Sequence, residues 1–108
     1  MIYEYRVYEA VPGRLPDLHA RFRNHTLSIF ARVGMRVVGF FTPEIGGNTN
    51  QLAYILEFDD YAHLERSWAA FREDAEWKAV KAESEVRGPL VARLTSQIWK
   101  PTDYSPLR

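Results

Sequence analysis

The sequence contains no cysteine, which excludes disulfides, thiolate metal sites and a cysteine nucleophile together and leaves the redox compartment unmarked. Nor does one sign of charge prevail: Lys and Arg total 14, Asp and Glu 14. A balanced chain has no broad field to draw phosphate backbones or anionic lipid, so neither nucleic acid nor membrane insertion is expected. No apolar run is long enough to cross a bilayer. Strand-like sequence starts at Ile2, with no basic stretch and apolar run of a secretory leader ahead of it, so cytoplasmic residence is the expectation. Repeats, low-complexity segments and linkers are also missing. At 108 residues the chain is expected to be one domain, 1–108, burying about two-thirds of its unfolded surface.

What is present is a clear alternation of periods. From Ile2 to Ala10, Tyr3, Tyr5 and Val7 alternate with Glu4, Arg6 and Tyr8, the two-residue period of a strand. Turn chemistry in "VPGRLPD" follows, with Pro16 suited to a first helical turn, where its missing N–H costs nothing. Leu15, Leu18, Phe22, Ile29, Phe30 and Val33 then form one apolar stripe, predicting a helix over about 15–33 that Gly34 ends. Met35–Thr42 and Gln51–Phe58 read as strands joined by the loop "PEIGGNTN". Asp59 and Asp60 stand where a helix needs acceptors for its free N–H groups, and Leu64, Trp68 and Phe71 mark that helix's buried face. Asp74 offers a second start, presenting Trp77 and Val80 before "RGP" stops the helix. Leu90–Trp99 is the fourth strand, and "KPTDYSPLR" an extended tail.

The order βαββαβ predicts an α+β, ferredoxin-like fold: a four-stranded antiparallel sheet, strands one and three central, with the helices on one face. Strand three then poses a problem of cover. Leu52, Tyr54, Leu56 and Phe58 are apolar or aromatic on one side, and Ala53 and Ile55 are apolar on the other, so both faces call for burial. The outer strands also carry the apolar runs "RVVGFF" and "LTSQIW". Two-fold packing of sheet on sheet would cover both, predicting a homodimer.

The segments "MIYEYRVYEAVPGRLPDL", "NQLAYILEFDD" with the Arg-containing helix behind it, "DAEWKA" and "KPTDYSPL" together resemble the NIPSNAP family across essentially the whole chain. The resemblance implies a dimeric α/β barrel, two ferredoxin-like sheets facing each other with the helices outside. Family members often carry an aromatic and polar pattern in strand three, where this chain has Tyr54, Leu56 and Phe58. The family has no single agreed activity. Its wider superfamily includes cofactor-independent monooxygenases and small isomerases, and its name carries links to vesicle trafficking.

Glu4, Arg6 and Tyr8 share one face of a central strand, and the dimer model turns that face into the barrel. Buried charges there must be paired or hydrated, so Glu4–Arg6 is either a structural pair or a functional one, Arg6 forking a carboxylate, enolate or phenolate and Glu4 serving as a base. With Tyr54 and Phe58 these residues would line an apolar cavity carrying few polar groups, the usual composition of a small-molecule site. His19 and His25 lie six positions apart on the first helix and do not face one another, and His63 opens another helix, so no metal site is expected. Ser67, Ser84, Ser96 and Ser105 have no nucleophile-elbow context, and the glycine loop is no phosphate cradle, so no cofactor is expected. The expected function is binding of a small apolar or aromatic molecule in the homodimer's barrel. The alternatives are a monooxygenase or isomerase-like enzyme using Glu4 or His25 as its base, and a protein-interaction module.

Overall fold

The computed structural model describes residues 1–108, and its sheet begins with β1, Ile2–Ala10. A turn at Gly13, whose φ of 84° suits glycine, leads into α1, Leu15–Arg21, with proline in its first turn. The expected helix over 15–33 runs as three successive segments: α1, a π-helical turn at Phe22–Thr26, and α2, Leu27–Arg32. In the π turn the Leu27 N–H reaches the Phe22 carbonyl, one residue further back than in an α-helix. Gly34, at φ 91°, ends it.

The hairpin follows as β2, Arg36–Phe41, and β3, Gln51–Phe58. Asp60 caps α3, Tyr61–Glu73, by accepting from the His63 N–H. Asp74 caps α4, Ala75–Ser84, by accepting from the Trp77 N–H. The sheet is completed by β4, Val91–Trp99. Strands two and four start one residue later than expected: the Met35 N–H is spent on the Phe30 carbonyl and the Leu90 carbonyl on the Val11 N–H, outside the sheet ladder.

All pairings are antiparallel in the order β2-β3-β1-β4, so β1 and β3 are central. Register aligns Glu4 with Leu56 and Ile98, Arg6 with Tyr54 and Ser96, and Tyr8 with Leu52 and Leu94, which puts these residues on one face. That face carries the core: Leu52, Tyr54, Leu56 and Phe58 pack with Leu18, Phe22, Ile29, Phe30 and Phe71 of the helical layer. Here the structure corrects the sequence reading. Glu4, Arg6, Tyr8, Tyr54 and Phe58 lie beneath the helices, not on the face left free for a second sheet. Both faces of β3 are apolar, so the pattern alone could not say which one the helices take. The opposite face, with Tyr5, Val7, Ala53 and Ile55, has no helix over it, and the molecule is only 19 Å thick.

Candidate functional site

Glu4 is buried, and both carboxylate oxygens are engaged. Oε1 accepts from the Trp68 indole N–H at 2.7 Å; Oε2 accepts from Ser96 Oγ at 2.6 Å and Arg6 Nη1 at 2.9 Å. Three charge-assisted bonds meet the solvation that burial removed, which is what lets a carboxylate sit under a helix layer. Arg6 is tied in turn: Nε donates to Tyr54 at 2.9 Å, Nη2 to Tyr8 at 3.2 Å, and its Cζ lies 4.4 Å from the centre of the Trp68 ring. Burial opposes the Arg6 charge, but the Tyr54 and Tyr8 oxygens and the Glu4 carboxylate outweigh it, and its pKa lies above the ordinary guanidinium value.

The two phenols are 2.7 Å apart. Tyr54 has 0% exposure, so a hydrogen it did not give to Tyr8 would be stranded in the core. Tyr54 therefore donates to Tyr8, and Tyr8, which accepts from Arg6 as well, keeps its own O–H free to donate. Burial, with Tyr8 next to it, holds the Tyr54 phenol well above its ordinary pKa, and the pull of Arg6 the other way is smaller. Tyr54 is thus a neutral relay that orients Tyr8.

Above this cluster is a cavity of about 720 Å³ between the sheet and the helical layer. Glu4, Arg6 and Tyr8 form its polar floor, and Phe22, Phe30, Trp68, Phe71 and Trp77 its apolar walls. The π turn helps to shape it: Phe22 and Thr26 both line the cavity, and Thr26 Oγ1 donates to the Arg21 carbonyl at 3.3 Å.

The five residues expected to bind ligand do not all meet there. Glu4, Arg6 and Tyr8 line the cavity, Tyr54 supports them from behind, and Phe58 lies outside it, its ring 5.2 Å from that of His63. His25 is exposed on the π turn and borders a separate, smaller cavity of about 310 Å³ with Arg14 and Arg87. Glu4 and His25 thus do not share a site. His63 is a brace: Nδ1 accepts from the Asp59 N–H at 2.9 Å, which makes Nε2 the donor to the Gly34 carbonyl at 2.8 Å. Trp68, assigned by its spacing to the core, is half-buried and bonds Glu4; Ser96 bonds Glu4 from β4. Their place in the site follows from strand order and helix docking, which no local pattern announces.

Comparison with known proteins agrees with this architecture. A family model described as NIPSNAP matches residues 3–106. Protein NipSnap homolog 3B of Mus musculus is 31% identical over 77 residues, which take up 70% of this chain and 30% of that protein, so the chain spans about three-tenths of its relative's length. The crystal structure of a NIPSNAP family protein from Agrobacterium tumefaciens is 26% identical, with a TM-score of 0.87 covering 99% of this chain and 98% of that one. At 10% identity, an antibiotic biosynthesis monooxygenase superposes with a TM-score of 0.64 over 94% of this chain and 99% of its own, a likeness of fold alone.

Proposed function

The chain belongs to the NIPSNAP family, and from that premise we propose that it binds a small apolar or aromatic molecule in the cavity between its sheet and its helices, as a homodimer joined through the open sheet face. The observation that carries the reading is the cavity itself. Its volume of about 720 Å³ falls in the range of small-molecule sites, and aromatic walls over a few fixed polar groups are their usual composition. Trp68 and Phe22 offer ring faces, and the free Tyr8 O–H offers one directed donor for a carbonyl or hydroxyl on the guest.

Proton abstraction has less support. Both Glu4 oxygens already accept hydrogen bonds, so using this carboxylate as a base means breaking contacts that hold the floor together, and His25 stands elsewhere. Binding is therefore the reading the geometry favours over an isomerase-like reaction.

The test is calorimetric titration with a panel of neutral arenes and aryl ketones, repeated on Ala92→Phe. Ala92 lines the cavity from the exposed strand β4, so the larger ring obstructs the space without entering the core. Saturable binding by wild type that Ala92→Phe weakens about tenfold or more is expected. No saturable binding by any of the panel, or equal binding by the variant, overturns the reading.

A further inference from the structure

Arg21 has a feature that the packing of α1 against α4 does not account for. Its side chain is buried, 8% of the residue remaining exposed, and Nη1 donates to Ser84 Oγ at 3.1 Å and Glu85 Oε2 at 2.9 Å, yet its Nε–H has no acceptor. A buried donor on a charged group is costly to leave unpaired, and such groups in native proteins generally have a partner. Arg21 is a wall residue of the large cavity.

Its surroundings on α4 are specific. The guanidinium lies 5.0 Å from the centre of the Trp77 ring and bonds Ser84 and Glu85. Residues 77, 81 and 84 follow three- and four-residue steps along α4, and Glu85 ends it, so Lys81 shares the face on which Arg21 rests. Lys81 also lines the cavity and makes no ion pair. Of the acidic groups lining the cavity, Glu4 is paired with Arg6 and Glu85 with Arg21, which leaves Glu65, on α3 rather than α4. The α4 side of the cavity therefore carries two cations against one committed carboxylate, with a buried N–H still to be satisfied.

Resting on the small-molecule reading above, we infer that the occupant is an amphipathic acid: its apolar or aromatic body lies along Trp68, Phe22 and Trp77, and its carboxylate is received by Arg21 and Lys81. The carboxylate supplies Lys81 with the countercharge it lacks and the Arg21 guanidinium with an acceptor beyond Ser84 and Glu85; the Nε–H, closed off from solvent, joins it once the side chain shifts. Tyr8, on the floor, is left for a polar group elsewhere on the molecule. The site so described has a preference, for an acid over its uncharged isostere.

The experiment compares the straight-chain acids from hexanoic to dodecanoic, together with phenylacetic and naphthylacetic acids, each against its own primary amide, by calorimetry at neutral pH. Acids are expected to bind about tenfold or more tightly than their amides, as a charge-assisted contact in a partly dry site allows. Lys81→Met should lower acid affinity about fivefold and amide affinity by less, so that the acid-to-amide ratio falls. Arg21→Lys keeps the charge beside Glu85 but loses the fork, and should also weaken the acids selectively; circular dichroism verifies that both variants fold. Acids and amides binding equally would overturn the acid subsite alone, whereas no binding of either class to wild type would overturn it together with the cavity reading. Because Arg21 also borders the smaller cavity, Arg87→Met serves as the control. An acid preference lost in Arg87→Met and kept in Lys81→Met would put the carboxylate in that other space and overturn the assignment.

Discussion

Tyr54 has no exposed surface and yet carries a hydroxyl bonded to Arg6 and Tyr8, so one atom holds the geometry of the cavity floor. Tyr54→Phe keeps the ring and its stacking on Phe40, but removes the acceptor for Arg6 Nε and the donor to Tyr8, for an expected loss of about 1–3 kcal/mol at neutral pH. The same residue gives the protein an alkaline sensitivity whose sign is fixed. Its pKa is raised by burial from an ordinary value of 10.0, so above about pH 10 the unfolded chain gives up a proton that the folded chain keeps, and stability falls by up to about 1.4 kcal/mol per pH unit on its account. Below pH 10 both states hold the proton and the contribution is constant. Urea midpoints at about pH 9 and pH 11 should therefore fall less in Tyr54→Phe than in wild type; equal falls would show that this phenol is not the source. At this scale the sequence was partly legible. The alternation of β1 groups Glu4, Arg6 and Tyr8 because strand period is local. Trp68, Ser96, Arg21 and Lys81 join them only through tertiary docking, and nothing in their neighbourhoods marks them.

Helix starts were the most legible features among the elements, since a cap is a contact over three residues. Asp60 accepts from the His63 N–H at 2.8 Å, and His63 then bridges Asp59 and Gly34, so the start of α3 is fastened to the end of α2. Asp60→Ala should cost about 1 kcal/mol, read as a lower urea midpoint at unchanged slope. A loss below about 0.3 kcal/mol would mean that the His63 brace holds the helix start without the cap. Asp74 shows the same local logic with a longer reach. Its pKa is lowered first by the bond from Arg32 and then by the Trp77 N–H, so this cap also ties α2 to α4 and is lost as acid protonates it. The π turn, by contrast, left no trace in the pattern. Leu18, Phe22, Ile29 and Phe30 satisfy an apolar stripe whether or not one residue is inserted between them, and only the bond from the Leu27 N–H to the Phe22 carbonyl distinguishes the two.

For the molecule as a whole, the open sheet face decides the expectation. A monomer of this mass ordinarily exposes about 6,200 Å²; this chain exposes 6808 Å². The excess is of the order of the roughly 800 Å² that one partner contributes to a stable interface. It is accompanied by apolar side chains in the right place: Val7, Ala53 and Ile55 are half-exposed on the uncovered face, Phe41 is 58% exposed, and Trp99 is 47% exposed beside Tyr5. The apolar character of both faces of β3 pointed to a second layer from the sequence. Which layer covers which face was not legible, because burial demand is a property of a surface and not of the element that meets it. The helices cover the face with the charged pair, where Trp68 of α3 bonds Glu4 and the neighbouring strands add Tyr54 and Ser96; the plainer apolar face has no helix over it. Two copies packed sheet to sheet would bring Ile55 near the centre of the seam, where Ile55→Glu leaves a carboxylate desolvated without a partner, at a cost of several kcal/mol to association. Sedimentation equilibrium at micromolar concentration should give a dimer for wild type and a folded monomer for Ile55→Glu, with the cavity on the far side of the sheet still able to bind ligand. A wild-type monomer under those conditions, or an Ile55→Glu protein that remains dimeric, would remove the sheet face as the interface and leave the uncovered side of β3 to be explained in another way.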